Sequence, residues 1–225
     1  MGGAHESSGV KAHADLLHDS IVRMHEQLPW KWSQQLRSRV LCLAEASGGR
    51  LKVATGCSGT DIAVLGLRRL CSYWDSLFGV KVEVQHLFSV ENVEFKRRFI
   101  IKRVRPKRTF QEMAELCNER VRDLVSNQDV EVESPHIWIC GIECDSASSV
   151  SIHSASNKEC VALASGATGS SAEYCLNFVK KHQPPFVCFE NVKKWMRELQ
   201  RQAVPTSMPS WSACSSSDTS QRVWC

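Results

Sequence analysis

Cys144 stands in the stretch HIWICGIECDSASS, residues 136–149. A short apolar run, Ile137 to Cys140, ends in Gly141, and Cys144 follows in a polar loop between Glu143 and Asp145. A strand that runs out into such a loop is how an α/β domain presents a reactive group. A thiolate there can add to an electron-poor carbon and leave again. The same residue also reads as a small core hydrophobe, the ordinary role of a free cysteine. A carboxylate closes a second short apolar run: Phe186-Val187-Cys188-Phe189 leads into Glu190, Asn191 and Val192. A third loop, Gly56-Cys57-Ser58-Gly59, follows Leu51-Lys52-Val53-Ala54-Thr55.

The elements that must position these residues follow from their patterns. Residues 51–55 read as a strand, and Thr60 or Asp61 can cap a helix whose buried face is Ile62, Val64, Leu65, Leu67, Leu70 and Leu77. Strand, glycine turn and helix open a nucleotide-type α/β fold, and the free backbone amides there suit a polar or anionic ligand. The next strand, residues 82–90, ends in Glu91. An acid at that point commonly accepts hydrogen bonds from ribose hydroxyls, and a plain helix N-terminal acid is the equal alternative. Gly59 and Glu91 are 32 positions apart, against about 20 in the usual fingerprint. Residues 71–81 supply the extension. Further helices are expected at 92–102, at 110–125 with Met113, Leu116, Val121 and Leu124 buried, at 171–182 and at 193–203. Residues 146–171, rich in Ser, Ala and Gly, read as a long loop.

Before the first strand, amphipathic patterns at about 10–27 and 32–46 suggest two helices packed on the outside, the second stopped by Gly48-Gly49. His13, His18 and His25 read as surface residues. After residue 204 the composition turns low in complexity, with seven serines among the fourteen residues 207–220. Such a segment cannot bury enough apolar surface to fold alone. The expected organisation is disorder over 1–10, N-terminal helices over 11–49, a catalytic-type domain over 50–203 and a Ser-rich disordered tail over 204–225.

Composition bounds the rest. The chain has 225 residues, 43% hydrophobic and 23% charged, with a formal net charge of +4. That suits one globular domain with tails. No apolar run is long enough to cross a membrane, and the N-terminus lacks the basic-then-apolar order of a secretory signal. Gly2 does not make a myristoylation site, because position 6 is Glu. Eleven scattered cysteines with no C-x-x-C read as reduced thiols inside a cell, with no metal site expected. Eight basic residues lie from Lys96 to Arg108, interleaved with Phe95 and Phe99 and followed by Phe110. They could bind phosphates or direct nuclear import, or form a solvated helix end and loop.

Together these loops resemble the cytosine-C5 methyltransferase family. Cys57-Ser58-Gly59-Thr60-Asp61-Ile62 with Leu65-Gly66-Leu67 resembles its cofactor loop, F-S-G-x-G-G…L-G-L. Glu91 falls at the ribose-binding acid. Gly141-Ile142-Glu143-Cys144-Asp145-Ser146 resembles the nucleophile loop, G-x-P-C-Q-x, and Glu190-Asn191-Val192 matches the E-N-V motif. The resemblance runs from about residue 51 to 199. A second E-N-V, at Glu91, precedes the cysteine loop and is not that motif. Gln35-Leu36-Arg37-Ser38-Arg39 spells the family's Q-x-R-x-R before the cofactor loop instead of after E-N-V, and is read as chance.

The resemblance implies a Rossmann-like class I S-adenosylmethionine-dependent methyltransferase fold, incomplete at the C-terminus, with N-terminal helices. It implies methyl transfer from S-adenosylmethionine to C5 of a flipped cytosine in DNA, or alternatively tRNA, in the nucleus or second in the cytoplasm. Catalysis would fall to Cys144 and Glu190; cofactor binding to Cys57, Ser58, Gly59, Thr60, Glu91 and Asn92; substrate binding to Asn191, Val192 and Ser146. The departures are Cys57 for Phe, Asp61 and Ile62 for the paired glycines, Glu143 for Pro and Asp145 for Gln. Acidic neighbours would raise a thiol's pKa. Beyond Glu190 no target-recognition region follows, which points to a fragment or to a relic that keeps the fold and binds nucleic acid or a partner. An oxidoreductase with the same strand–glycine–helix start is a third reading by fold analogy.

Overall fold

The computed structural model describes residues 16, 19–27, 29–57, 59–142 and 166–190. In chain order the elements are α1 (19–26), α2 (Trp30–Ala46), β1 (Arg50–Gly56), α3 (Ile62–Phe78), β2 (Glu83–Val90) and α4 (Glu94–Phe99). Then come β3 (Arg108–Phe110), β4 (Val121–Asp123), β5 (Gln128–Val130), β6 (Ile137–Gly141), α5 (Gly166–His182) and β7 (Phe186–Glu190). Five strands form one sheet in the order β3-β2-β1-β6-β7, while β4 and β5 pair separately. The β2–β3, β1–β6 and β6–β7 pairings are parallel. Counting only the sheet strands, this is the order 3-2-1-4-5, the first five strands of a Rossmann sheet. The expected Rossmann-like α/β fold is therefore present. Its switch point lies between β1 and β6, where the chain leaves β1 to one side and later returns on the other. Ligands of such sheets bind outside the carboxyl ends of the strands at that point.

The short apolar runs become strands of this sheet: β6 and β7 bury alternate residues, one face each, and the central strand is buried on both faces. In β1, all residues from Val53 to Gly56 are buried, the pattern of a central parallel strand. Contacts divide the chain into two units, residues 1–52 with 61–85 and residues 53–60 with 86–225. In the first, α3 ends at Gly79, whose φ of 65° and N–H bond to the Asp75 carbonyl (2.9 Å) form a left-handed cap. The extension inferred from the wide spacing before Glu91 is thus largely helix. Val64 and Cys71 are its buried residues, whereas Ile62 and Leu77 are 58% and 40% exposed, contrary to expectation. They lie in the terminal turns, where the helix extends past the buried stretch. His25 is not a plain surface residue. It shares a 3.0 Å hydrogen bond with Ser33 and sits edge-on to Tyr73 and Phe78. His13 and His18 lie outside the described residues.

In the second unit the core is an aromatic stack. Phe88, Phe110, Trp138 and Phe178 are at most 1% exposed, and the rings of Trp138 and Phe178 pack at a 35° tilt with centroids 4.3 Å apart. Ala172, Cys175, Phe178 and Val179 of α5 face this core, at the i, i+3, i+6 and i+7 spacing of an amphipathic helix. That helix begins at Gly166, so the end of the expected loop is helical.

The helix expected over 110–125 is absent. A short 3-10 turn (Met113–Cys117) and the β4–β5 hairpin stand there. The Asp123 carboxylate explains the difference. It accepts from the backbone N–H groups of Thr109, Val125 and Ser126 and from the Ser126 hydroxyl, drawing the backbone into a turn instead of a helical ladder. The helix expected over 92–102 is α4 with a wider π turn, Ile100–Val104. The expected helix over 193–203 and the Ser-rich tail lie outside the described residues.

Candidate active site

At the carboxyl end of β1 the chain makes a tight turn. Gly56 is required by close approach: a Cβ there would lie 2.7 Å from the Trp138 ring and 2.8 Å from the Met113 sulfur. Cys57 is left-handed, at φ 51°, and its N–H donates to the Val90 carbonyl at 3.0 Å. A left-handed backbone costs a non-glycine residue roughly 1–2 kcal/mol, so this hydrogen bond and the packing of Cys57 on the core hold the turn in place. Gly59 is also left-handed, at φ 67°, with open space where a Cβ would be. Thr60 is exposed. Ser58 lies outside the described residues. Asp61 occupies the N-cap position of α3 at φ 55° but makes no capping bond with its side chain. The expectation that Thr60 or Asp61 caps by its side chain is not met, because the left-handed turn directs the chain differently from the extended geometry of a capping residue.

The end of β2 carries Glu91, only 4% exposed. Its N–H donates to the Phe110 carbonyl at 3.2 Å, and its Oε1 accepts from the Val93 N–H at 2.9 Å. Among the described residues Oε2 has no partner, so the carboxylate is fixed by one oxygen and offers the other. Asn92 is exposed. Arg97 was legible only as one of the eight basic residues. Its Nη1 donates to the carbonyls of both Glu91 (2.8 Å) and Asn92 (2.9 Å), pinning the strand-end turn. A signal existed, because a residue one helical turn after the Val93 N-cap faces back across that turn.

β6 and β7 end side by side. Gly141 and Glu190 are register partners, and the Ile142 N–H donates to the Glu190 carbonyl at 3.3 Å. Glu190 is exposed. Cys144, Ser146, Asn191 and Val192 lie outside the described residues, Cys144 two positions after Ile142 in sequence. Of the cysteines in this strand and loop, Cys140 is core. It is fully buried, and burial pushes its thiol well above the ordinary range, so it is a poor nucleophile.

The basic stretch is not one free patch. Besides Arg97, Arg98 pairs with Glu94, and Lys107 and Arg108 meet Glu133. Phe110 is buried, while Phe95 and Phe99 are 72% and 39% exposed. Among the described residues no helix is long and apolar enough to cross a membrane.

No family model matches the chain. Over 148 residues the chain is 30% identical to DNA (cytosine-5-)-methyltransferase DMT5 of Cryptococcus neoformans var. grubii serotype A. The match takes in 66% of this chain and 6% of that protein, so the chain spans a small part of its relative's length. The resemblance carried by the motifs is thus supported by similarity along most of the chain. Among solved structures, the DhpI-SAM-HEP complex aligns at 11% identity and a TM-score of 0.31, over 95% of this chain and 80% of that one. A likeness that slight carries no argument.

Proposed function

We propose that this chain is the catalytic core of an S-adenosylmethionine-dependent methyltransferase acting on C5 of cytosine in DNA, in the nucleus. One observation carries the reading: the start of the cysteine loop and Glu190 are register partners at adjacent strand ends, beside the switch point where Rossmann-like sheets bind ligands. The similarity to a DNA (cytosine-5-)-methyltransferase supports the same chemistry.

The residues fit the cofactor. Glu91 is a buried carboxylate with one oxygen fixed and one on offer, suited to ribose hydroxyls. In the turn read as Cys57, Ser58, Gly59 and Thr60, the Cys57 N–H is held by the Val90 carbonyl, which leaves the amides of Gly59 and Thr60 to meet a ligand, and Asn92 borders the same crevice in sequence. S-adenosylmethionine supplies an electrophilic methyl group. The chain's own residues do the rest. A cytosine is taken out of the stack, with Ser146, Asn191 and Val192 among the groups that would hold it. The Cys144 thiolate adds to C6, and the proton that Glu190 donates at N3 receives the electron density, making C5 nucleophilic. After methylation, N3 returns its proton to Glu190, and water takes the C5 proton as the C6–S bond breaks, which expels Cys144 as the thiolate and restores the ring. Thiol and carboxyl must come from neighbouring strand ends to reach one base.

A DNA oligonucleotide bearing 5-fluorocytosine tests this, because the fluorine blocks the last step. With S-adenosylmethionine, a denaturant-stable complex should form and should be lost in Cys144→Ser. Salt-dependent binding without a covalent complex would instead identify a relic that only binds nucleic acid. A tRNA bearing the same base distinguishes the two substrates.

A further inference from the structure

Three cysteines, Cys57, Cys140 and Cys175, meet beneath the turn that follows β1. Cys140 in β6 and Cys175 in α5 are fully buried, with Sγ atoms 2.7 Å apart. The Cys140 thiol also hydrogen-bonds the Cys57 side chain, while Cys188 in β7 is the register partner of Ile139 and so faces the other side of the sheet. Cys57 and Cys188 are partly exposed. Among the described residues no group of three or more His, Cys, Asp or Glu is arranged to hold a metal ion. Register supplies the geometry. Gly56 is the Cα partner of Cys140. With strands about 4.8 Å apart and a rise of about 3.3 Å per residue, the next Cα would lie about 6 Å from that of Cys140 if β1 ran on, and the left-handed turn at Cys57 brings its side chain onto the core that holds Cys140. Disulfides form at Cα separations of about 4.4–6.8 Å.

We propose that Cys57 and Cys140 are a peroxide-sensitive thiol pair whose disulfide ties the turn after β1 to β6. Cys57 reacts first because it is the partly exposed member. Its thiolate attacks one oxygen of hydrogen peroxide, the O–O bond breaks, and a sulfenic acid and hydroxide result. Cys140 gives its proton to that hydroxide and attacks the Cys57 sulfur. The S–O bond breaks, and the departing hydroxide takes up the proton released when Cys57 ionised. Two thiols lose two electrons and two protons, and one peroxide becomes two waters. Cys140 cannot begin the sequence, since it is buried and its thiol stays protonated. The regulatory consequence rests on the reading of this turn as the cofactor loop. The disulfide fixes the turn against the core and lowers affinity for S-adenosylmethionine, and a dithiol restores it.

The test treats the full chain with hydrogen peroxide, blocks the remaining thiols, and maps oxidised cysteines by mass spectrometry after denaturation and differential labelling. Cys140 should become oxidised in a dithiothreitol-reversible form in the wild type, and should stay reduced in both Cys57→Ser and Cys57→Ala, with thermal melts confirming that each variant folds. A Cys140 that stays reduced in the wild type, or is oxidised equally without Cys57, overturns the proposal. Calorimetry then compares S-adenosylmethionine binding before and after oxidation, with an expected fall of about tenfold, an ordinary coupling between sites. If the reduced chain binds no cofactor while Cys140 oxidation still depends on Cys57, the cofactor reading fails and the thiol pair stands.

Discussion

The chain carries the tripeptide Glu-Asn-Val twice, at residues 91–93 and 190–192, and each glutamate stands where a parallel strand ends. Glu91 is 4% exposed, with Oε1 held by the Val93 N–H and its carbonyl held by Arg97. Glu190 is exposed, and its carbonyl receives the Ile142 N–H from the beginning of the cysteine loop. Identical residues thus meet different surroundings because their strands occupy different places in the sheet. A carboxylate fixed by one oxygen is suited to holding hydroxyl groups of a resident ligand. One placed beside the proposed nucleophile loop is suited to moving a proton. On the proposed reading, strand order and not the motif separates the two roles.

Substitutions should separate the two acids. Glu190→Gln should have the largest effect, slowing methyl transfer by about 10²–10⁴-fold, the span of one general acid, with cofactor affinity little changed. Single-turnover rates at saturating cofactor would measure it. Glu91→Ala should weaken S-adenosylmethionine binding by about 1.5–3 kcal/mol, the loss of hydrogen bonds to a charged group. Calorimetry is the check, and a wild-type affinity would remove Glu91 from the cofactor site. Gly56→Ala should disturb both ends together, since its Cβ would press on Trp138 of β6 and on Met113. Overpacking of this kind costs about 1–3 kcal/mol, readable as a lowered denaturation midpoint.

The smallest effect should be pH-dependent and confined to the Glu91 side. Asp123 receives the Thr109 N–H, next to the Phe110 carbonyl that anchors Glu91. Burial alone would raise its pKa, but hydrogen bonds from the Ser126 hydroxyl and from the backbone of Thr109, Val125 and Ser126 hold it below the ordinary value. Its stabilising contribution is therefore complete above the unfolded value of about 4. It is lost as pH falls from there through the folded pKa. Thermal melts between pH 7 and pH 3 should show an acid-side loss that is absent in Asp123→Asn.

Much of the framework was legible because four sheet strands read as apolar runs, each ending in a turn or an acid. β3 was not, since three residues, Arg108-Thr109-Phe110, carry no period and sit in a basic stretch. The hairpin hid behind Met113, Leu116, Val121 and Leu124, whose spacing mimics a helix. It took the Asp123 carboxylate, a tertiary feature, to decide against one. Glu91 and Glu190 were legible as strand-end acids, but their contrast in burial was not. The contact of Cys57 and Cys175 with Cys140 left no trace in spacing, because the three come from separate elements.

The division of labour between the two acids is tested most directly by covalent capture on 5-fluorocytosine DNA across a range of S-adenosylmethionine concentrations. The account predicts that Glu91→Ala recovers the adduct as cofactor is raised, while Glu190→Gln remains deficient at every concentration. Equal recovery of both variants, or deficiency of both at saturation, would contradict it.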